Sequence, residues 1–113
     1  MKNAAGGGAA GGGMGDIVRR AQEAQKNLSR VQEDLRGRVV DASSGGGAVT
    51  AFVNGQQELV KITIKPEVVD PKDVAMLEDL VAAAVKSAIE KSKKMMQDEM
   101  SRAMGGFKVP GLF

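Results

Sequence analysis

Apolar positions along this chain change period twice, and the changes mark out its elements. Ile17, Ala21, Ala24, Leu28, Val31 and Leu35 recur at spacings of 4, 3, 4, 3 and 4, the seam of an amphipathic helix with a narrow apolar stripe. Asp16 is placed to cap its start and Gly37 to end it. About 20 residues at ~1.5 Å each make a rod of roughly 30 Å. A stripe this narrow suits one long partner helix.

The period then shortens. Val39 and Val40 lead through Asp41 into Ser43-Ser44-Gly45-Gly46-Gly47, a flexible connection, and Ala48 to Val53 is a strand. Asn54-Gly55 predicts a two-residue type I′ turn, which places Val49 opposite Val60. Val60, Ile62 and Ile64 then share a core face, and Lys61, Thr63 and Lys65 a wet one. Pro66 stops the strand. Asp70-Pro71-Lys72-Asp73 carries the cap, first-position proline and first-turn acid of a second helix, from Val74 to about Met104, closed by Gly105-Gly106. Its first half is apolar over a wide arc (Leu77, Leu80, Val81, Ala84, Val85, Ala88) and is expected to be buried. The second half narrows to Ile89, Met96, Met100 and Met104 and is expected to project.

These elements predict an α+β chain of order α-β-β-β-α, a small antiparallel sheet between long N- and C-terminal helices. The helices outreach the sheet, and a chain this small leaves their stripes in need of a partner, so a homodimer about a two-fold axis is expected. Residues 1–15 are almost all Gly and Ala, with too little side chain to bury, and are expected to be a disordered head. Residues 16–104 form the single domain, and 105–113 a short tail. Gly6 to Gly11 matches a GxGxxG string, but no strand precedes it.

Composition narrows the function. The 113 residues contain no Cys and no His, so thiol nucleophiles, imidazole bases and the usual zinc and iron ligand sets are excluded, and no cofactor is expected. Adjacent Glu78 and Asp79 point roughly 100° apart on a helix and cannot act as a catalytic carboxylate pair. A binding protein rather than an enzyme is expected. Absent cysteine fits a reducing cytoplasm, and the run from Leu80 to Val85 is too short to span a bilayer. Sixteen Lys and Arg against 14 Asp and Glu permit an acidic partner. With Phe at 52, 107 and 113 and no Trp or Tyr, a base-stacking platform cannot be assembled, so double-stranded rather than single-stranded nucleic acid is favoured.

A family resemblance rests on Gly13-Met14-Gly15-Asp16, Arg20-Ala21-Gln22-Glu23-Ala24-Gln25, Ser44-Gly45-Gly46-Gly47, Asn54-Gly55 and, most specifically, Leu77-Glu78-Asp79-Leu80 with the alanines that follow. In order and spacing these resemble the YbaB/EbfC nucleoid-associated proteins of bacteria, over residues 13 to about 110. The resemblance implies a tweezer-shaped homodimer that binds DNA in the nucleoid, helps organise it and can alter gene expression. Lys86 stands where many members carry Asn, and Ala24, Leu28 and Val31 stand where methionines are common.

Candidate DNA-contacting residues are Arg19, Arg20, Lys26 and Arg30 on the first helix and Lys86, Lys91, Lys93, Lys94 and Arg102 on the second. Glu23 and Asp34, four residues after Arg19 and Arg30, are the pattern of a solvated face. Candidate core or dimer positions are Leu28, Val31, Leu35, Val60, Ile62, Ile64, Leu77, Leu80, Val81 and Val85. Gln22, Gln25, Asn27 and Gln97 are the arm amides available for base edges. The other reading is a protein-binding adaptor or assembly factor, whose helical stripes and apolar tail (Phe107, Val109, Leu112, Phe113) engage another protein. Neither reading calls for a membrane or a small-molecule substrate.

Overall fold

The computed structural model describes residues 13–104. The order is α1 (Met14–Gly37), β1 (Val39–Ser44), β2 (Val49–Asn54), β3 (Leu59–Ile64) and α2 (Val74–Ala103), with single 3-10 turns at Gly45–Gly47 and Pro66–Val68. The strands form one antiparallel sheet, β1-β2-β3, so the α-β-β-β-α expectation holds. Most of the expected head and all of the tail, residues 1–12 and 105–113, lie outside the described residues. Met14 and Gly15, assigned to the head, instead form the first turn of α1, and Asp16 sits within that turn rather than capping it.

The core lies between the sheet and α2. Val49, Ala51 and Val53 alternate along β2 and are fully buried against Ala84 and Ala88 of α2, the period of two meeting the period of 3.6. Ala42, Ile62, Leu77, Leu80, Val81, Val85 and Ile89 pack around them, partly buried. Alanines at the centre of the contact let the helix lie close to the strand. α2 rests on β1 and β2, which leaves β3 at the margin. Val60 and Ile64, expected on the core face, are accordingly exposed.

The β2–β3 turn differs from the expected one. Val49 pairs with Ile64, not Val60, and the register shifts between Phe52 and Val53. The turn is a three-residue loop: Asn54 N–H donates to Glu58 O at 2.9 Å, Gln57 N–H to Asn54 O at 3.1 Å, and Gln57 takes φ 62°, a type I turn with a bulge. The Asn54 side chain accepts from the N–H groups of Gln56 and Glu58, so Asn54 opens the turn instead of occupying its centre. Gly55 is needed for closeness. Its N–H donates to both Leu35 O and Arg38 O at 2.9 Å, and a Cβ there would stand 2.6 Å from Leu35 O.

Two further details differ. Asp70 forms its own turn, accepting from Lys72 N–H, and α2, which starts at Val74 as expected, is capped by Asp73 instead, whose carboxylate accepts from Met76 N–H. Ser43 and Ser44 extend β1, and the expected flexible connection is a tight turn with Gly45, Gly46 and Gly47 all at positive φ, a conformation that side chains resist. Ser44 Oγ donates to Leu80 O at 2.5 Å, tying this corner to α2.

The projecting element is also not the one expected. Met95, Met96, Met100 and Met104 in the second half of α2 are half-buried, whereas in α1 only Leu35 is buried, Asn27, Leu28 and Val31 are half-buried, and residues 17–26 are exposed. The N-terminal half of α1 is the arm that stands free.

Candidate nucleic-acid interface

The basic candidates fall on two kinds of surface. Arg19, Lys26 and Arg30 are spaced i, i+7 and i+11, which places them along the side of α1 opposite its apolar stripe. Arg19 and Arg20 reach back to Asp16 at 2.6 and 3.2 Å. Such exposed pairs are worth about 0–1 kcal/mol, too little to hold either guanidinium against a phosphate. Among the described residues no carboxylate lies within ion-pair distance of Lys26 or Arg30.

On α2, Lys86, Lys93 and Gln97 repeat the same spacing on the side turned away from the sheet, all exposed. Neither lysine has an ion-pair partner among the described residues. Gln22 and Gln25 are likewise exposed beside Lys26, while Asn27 is half-buried.

The other candidates line a shallow groove between α2 and β1. Ala42, Ser43, Ser87, Glu90, Lys91 and Lys94 form one end, and Arg38, Val40, Met95, Asp98, Glu99 and Arg102 continue it. Here the cations are engaged: Lys91 Nζ donates to Asp41 O at 2.7 Å, Lys94 lies 3.4 Å from Asp98, and Arg38 and Arg102 both grip Glu99, Arg38 at 3.2 Å. The Arg38 hydrogen bond, aided by Arg102 and opposed by partial burial, holds the Glu99 carboxyl below its ordinary range. This groove is a mixed, largely neutralised surface.

Two residues organise the site in roles that the sequence did not indicate: Arg38, one of the basic residues near the first helix that could have met phosphate, and Ser92. Arg38 stands at the foot of α1 and finds Glu99 across 61 positions of sequence, a pairing only the fold creates. Ser92 is fully buried: its hydroxyl donates to Asn54 O at 2.5 Å and accepts from Gln57 N and Nε2 at 3.2 and 3.1 Å. All three hydrogen-bonding capacities of the hydroxyl are used, and the β2–β3 turn is fixed to α2. The visible signal was one serine among apolar positions, Ala84, Ala88 and Ser92 at spacings of four.

Among the described residues no group of three or more acidic or sulfur or imidazole side chains could hold a metal ion, and none of their helices is long and apolar enough to cross a membrane. Phe52, the one aromatic residue described, lies on the sheet face opposite α2 with Lys61 Nζ 5.8 Å from its ring centre.

The chain matches the YbaB/EbfC DNA-binding family over residues 10–107. It belongs to that family. A protein of Acetivibrio thermocellus named as a nucleoid-associated protein is 49% identical over 104 residues, covering 91% of this chain and 92% of the relative. A nucleoid-associated protein of Pelotomaculum thermopropionicum is 46% identical over 103 residues, covering 91% and 98%. The crystal structure of an uncharacterised Helicobacter pylori protein, 20% identical, shares the fold with a TM-score of 0.59, covering 70% of this chain and 92% of that one. The YbaB/EbfC match takes in both helices and the whole sheet, and with them both cationic faces.

Proposed function

We propose that this protein is a nucleoid-associated protein that binds double-stranded DNA as a homodimer, organises the nucleoid in the cytoplasm and influences gene expression. The observation that carries this reading is the YbaB/EbfC DNA-binding family match along nearly the whole domain. The arrangement of charge supports it. Lys26 and Arg30 on α1, and Lys86 and Lys93 on α2, are exposed on outward faces without a competing carboxylate at ion-pair distance among the described residues, as phosphate contacts require. Few amides accompany them, so affinity comes from phosphates more than from bases. Lys91, Lys94 and Arg102, held in the groove, contribute less.

A mobility-shift titration tests the reading. The parent protein should shift duplexes of unrelated sequence at similar concentrations, and single-stranded competitor should displace them poorly. Absence of any shift at moderate salt would favour the protein-binding adaptor instead.

A further inference from the structure

β2 and β3 present the same side of the sheet to α2 and receive different cover. Leu59, Ile62 and Ile64 pair with Val53, Ala51 and Val49, and residues directly opposite in an antiparallel pair point to one face. The three on β2 are fully buried, yet Leu59 is 49% and Ile64 39% exposed. α2 stops short of them because it lies over β1 and β2. Along the helix, Ala84, Ala88 and Ser92 form the buried line, and Val81, Val85 and Ile89, the next ridge round, are half-buried. Ser87, Lys91 and Lys94 occupy the other flank, toward β1, so the ridge of Val81, Val85 and Ile89 faces β3. Ridge and strand together make one apolar strip that no described element overlies. Val74, 53% exposed, lies at its end.

We propose that α2 of a second copy fills this strip, each copy laying the β3-side flank of its α2 over the β3 of the other about a two-fold axis. The inference rests on the homodimer of the proposed function and names the surface that makes it. Six apolar side chains and no charged one line the strip, which suits a helix flank and disfavours nucleic acid or a charged peptide. The area is adequate. Six residues of β3 give a length of ~20 Å and a helix covers a width of about 10 Å, so a strip and the flank laid on it each span roughly 200 Å² in projection. A two-fold pair hides four such faces, about 800 Å², and side-chain relief brings the accessible area towards the ~1,200 Å² at which stable interfaces begin. Symmetry is the second argument: the ridge left half-exposed on α2 borders the strand left uncovered, so one isologous contact covers both deficits in both copies. The competing occupant is α1 of a second copy. Its open stripe of Ile17, Ala21 and Ala24 is narrow and has alanines at its middle, so it fills the strip less well.

The chain has no cysteine of its own, so disulfide trapping between two single-cysteine proteins tests this in the absence of DNA. An Ile64→Cys protein is mixed in turn with Ala82→Cys, Val85→Cys and Ile89→Cys proteins and mildly oxidised. At least one mixture should give a product with the summed mass of its two proteins, and exchanging Ile64→Cys for Thr63→Cys, on the opposite sheet face, should abolish it. A link to Ala21→Cys in place of the α2 positions would overturn the proposal in favour of α1. No link in a parent that sediments as a dimer would overturn it and leave the homodimer standing, whereas a parent that sediments as a monomer would remove both. Ile64→Asp gives a second reading: it should raise the dissociation constant by about a hundredfold or more, because the carboxylate would be buried without a partner, with the helical circular dichroism retained. Unchanged self-association in that variant would also overturn the proposal.

Discussion

The two ends of α1 carry the same apolar period and meet opposite fates. At its foot, Leu35 is enclosed, its carbonyl is bound by Gly55, Gln56 Nε2 donates to Gln32 O at 3.0 Å, and Arg38 pairs with Glu99. At its tip, Met14 and Ile17 stand 76% and 58% exposed. Periodicity therefore states which side of a helix is apolar but not how much of that side the fold covers. Coverage is set by where α2 ends and where the β2–β3 turn reaches. The division also separates tasks: the foot fixes the direction of the arm, and the tip presents Arg19, Lys26 and Arg30 beyond the body.

Hollowing the foot has the largest expected effect. Leu35→Ala should cost about 2–5 kcal/mol in denaturant unfolding, while Met14→Ala, on the same stripe, should change stability by no more than ~0.5 kcal/mol. Equal costs would mean that the tip is as well packed as the foot. Ser92→Ala comes next: it removes three hydrogen bonds, although Gln57 N–H keeps Asn54 O and Gln57 Nε2 keeps Gly55 O, at about 1–3 kcal/mol in all, and should loosen the β2–β3 turn before α2 in hydrogen exchange.

Acid sharpens the picture with a smaller effect. Because the Glu99 carboxyl is held below its ordinary 4.5, its contribution is full above that value and is lost as pH falls through the lowered one. Glu99→Gln should therefore lower stability slightly at neutral pH, flatten that part of the acid limb of an unfolding curve, and converge with the parent once the parent's carboxyl is protonated. A parent and variant with parallel acid limbs would show that Arg38 and Arg102 do not favour the charged form.

Much of this fold was legible in the sequence, because each element has a clean period: 3.6 across Ile17 to Leu35 and Val74 to Met104, and two across Val49 to Val53. The hairpin register was not. Asn54-Gly55 satisfies either turn locally, and the choice was made by the α1 foot, which needs Gly55 N–H for two of its carbonyls. The cap of α2 was ambiguous for a similar reason, since Asp70 and Asp73 both suit a cap and Asp70 is used by its own turn. Val60 and Ile64 have the right alternation for a core, but the reach of α2 over the sheet decides their exposure. The basic positions could be assigned to helical faces from spacing alone. Which of them are engaged elsewhere could not, because Arg38 with Glu99, and Lys91 with the Asp41 backbone carbonyl, join residues distant in sequence.

Under the proposed function, outward-facing cations on the arm and on α2 hold duplex DNA by its phosphates, while the foot and core hold the fold. The most direct measurement is duplex affinity across a salt series for the parent and for a variant carrying Lys26→Glu, Arg30→Glu, Lys86→Glu and Lys93→Glu. Each phosphate contact removed should flatten the slope of log affinity against log salt by about 0.9. The account predicts a weaker, shallower dependence for every duplex sequence, with unfolding curves that overlay. A variant that binds as tightly as the parent with an unchanged slope would contradict it.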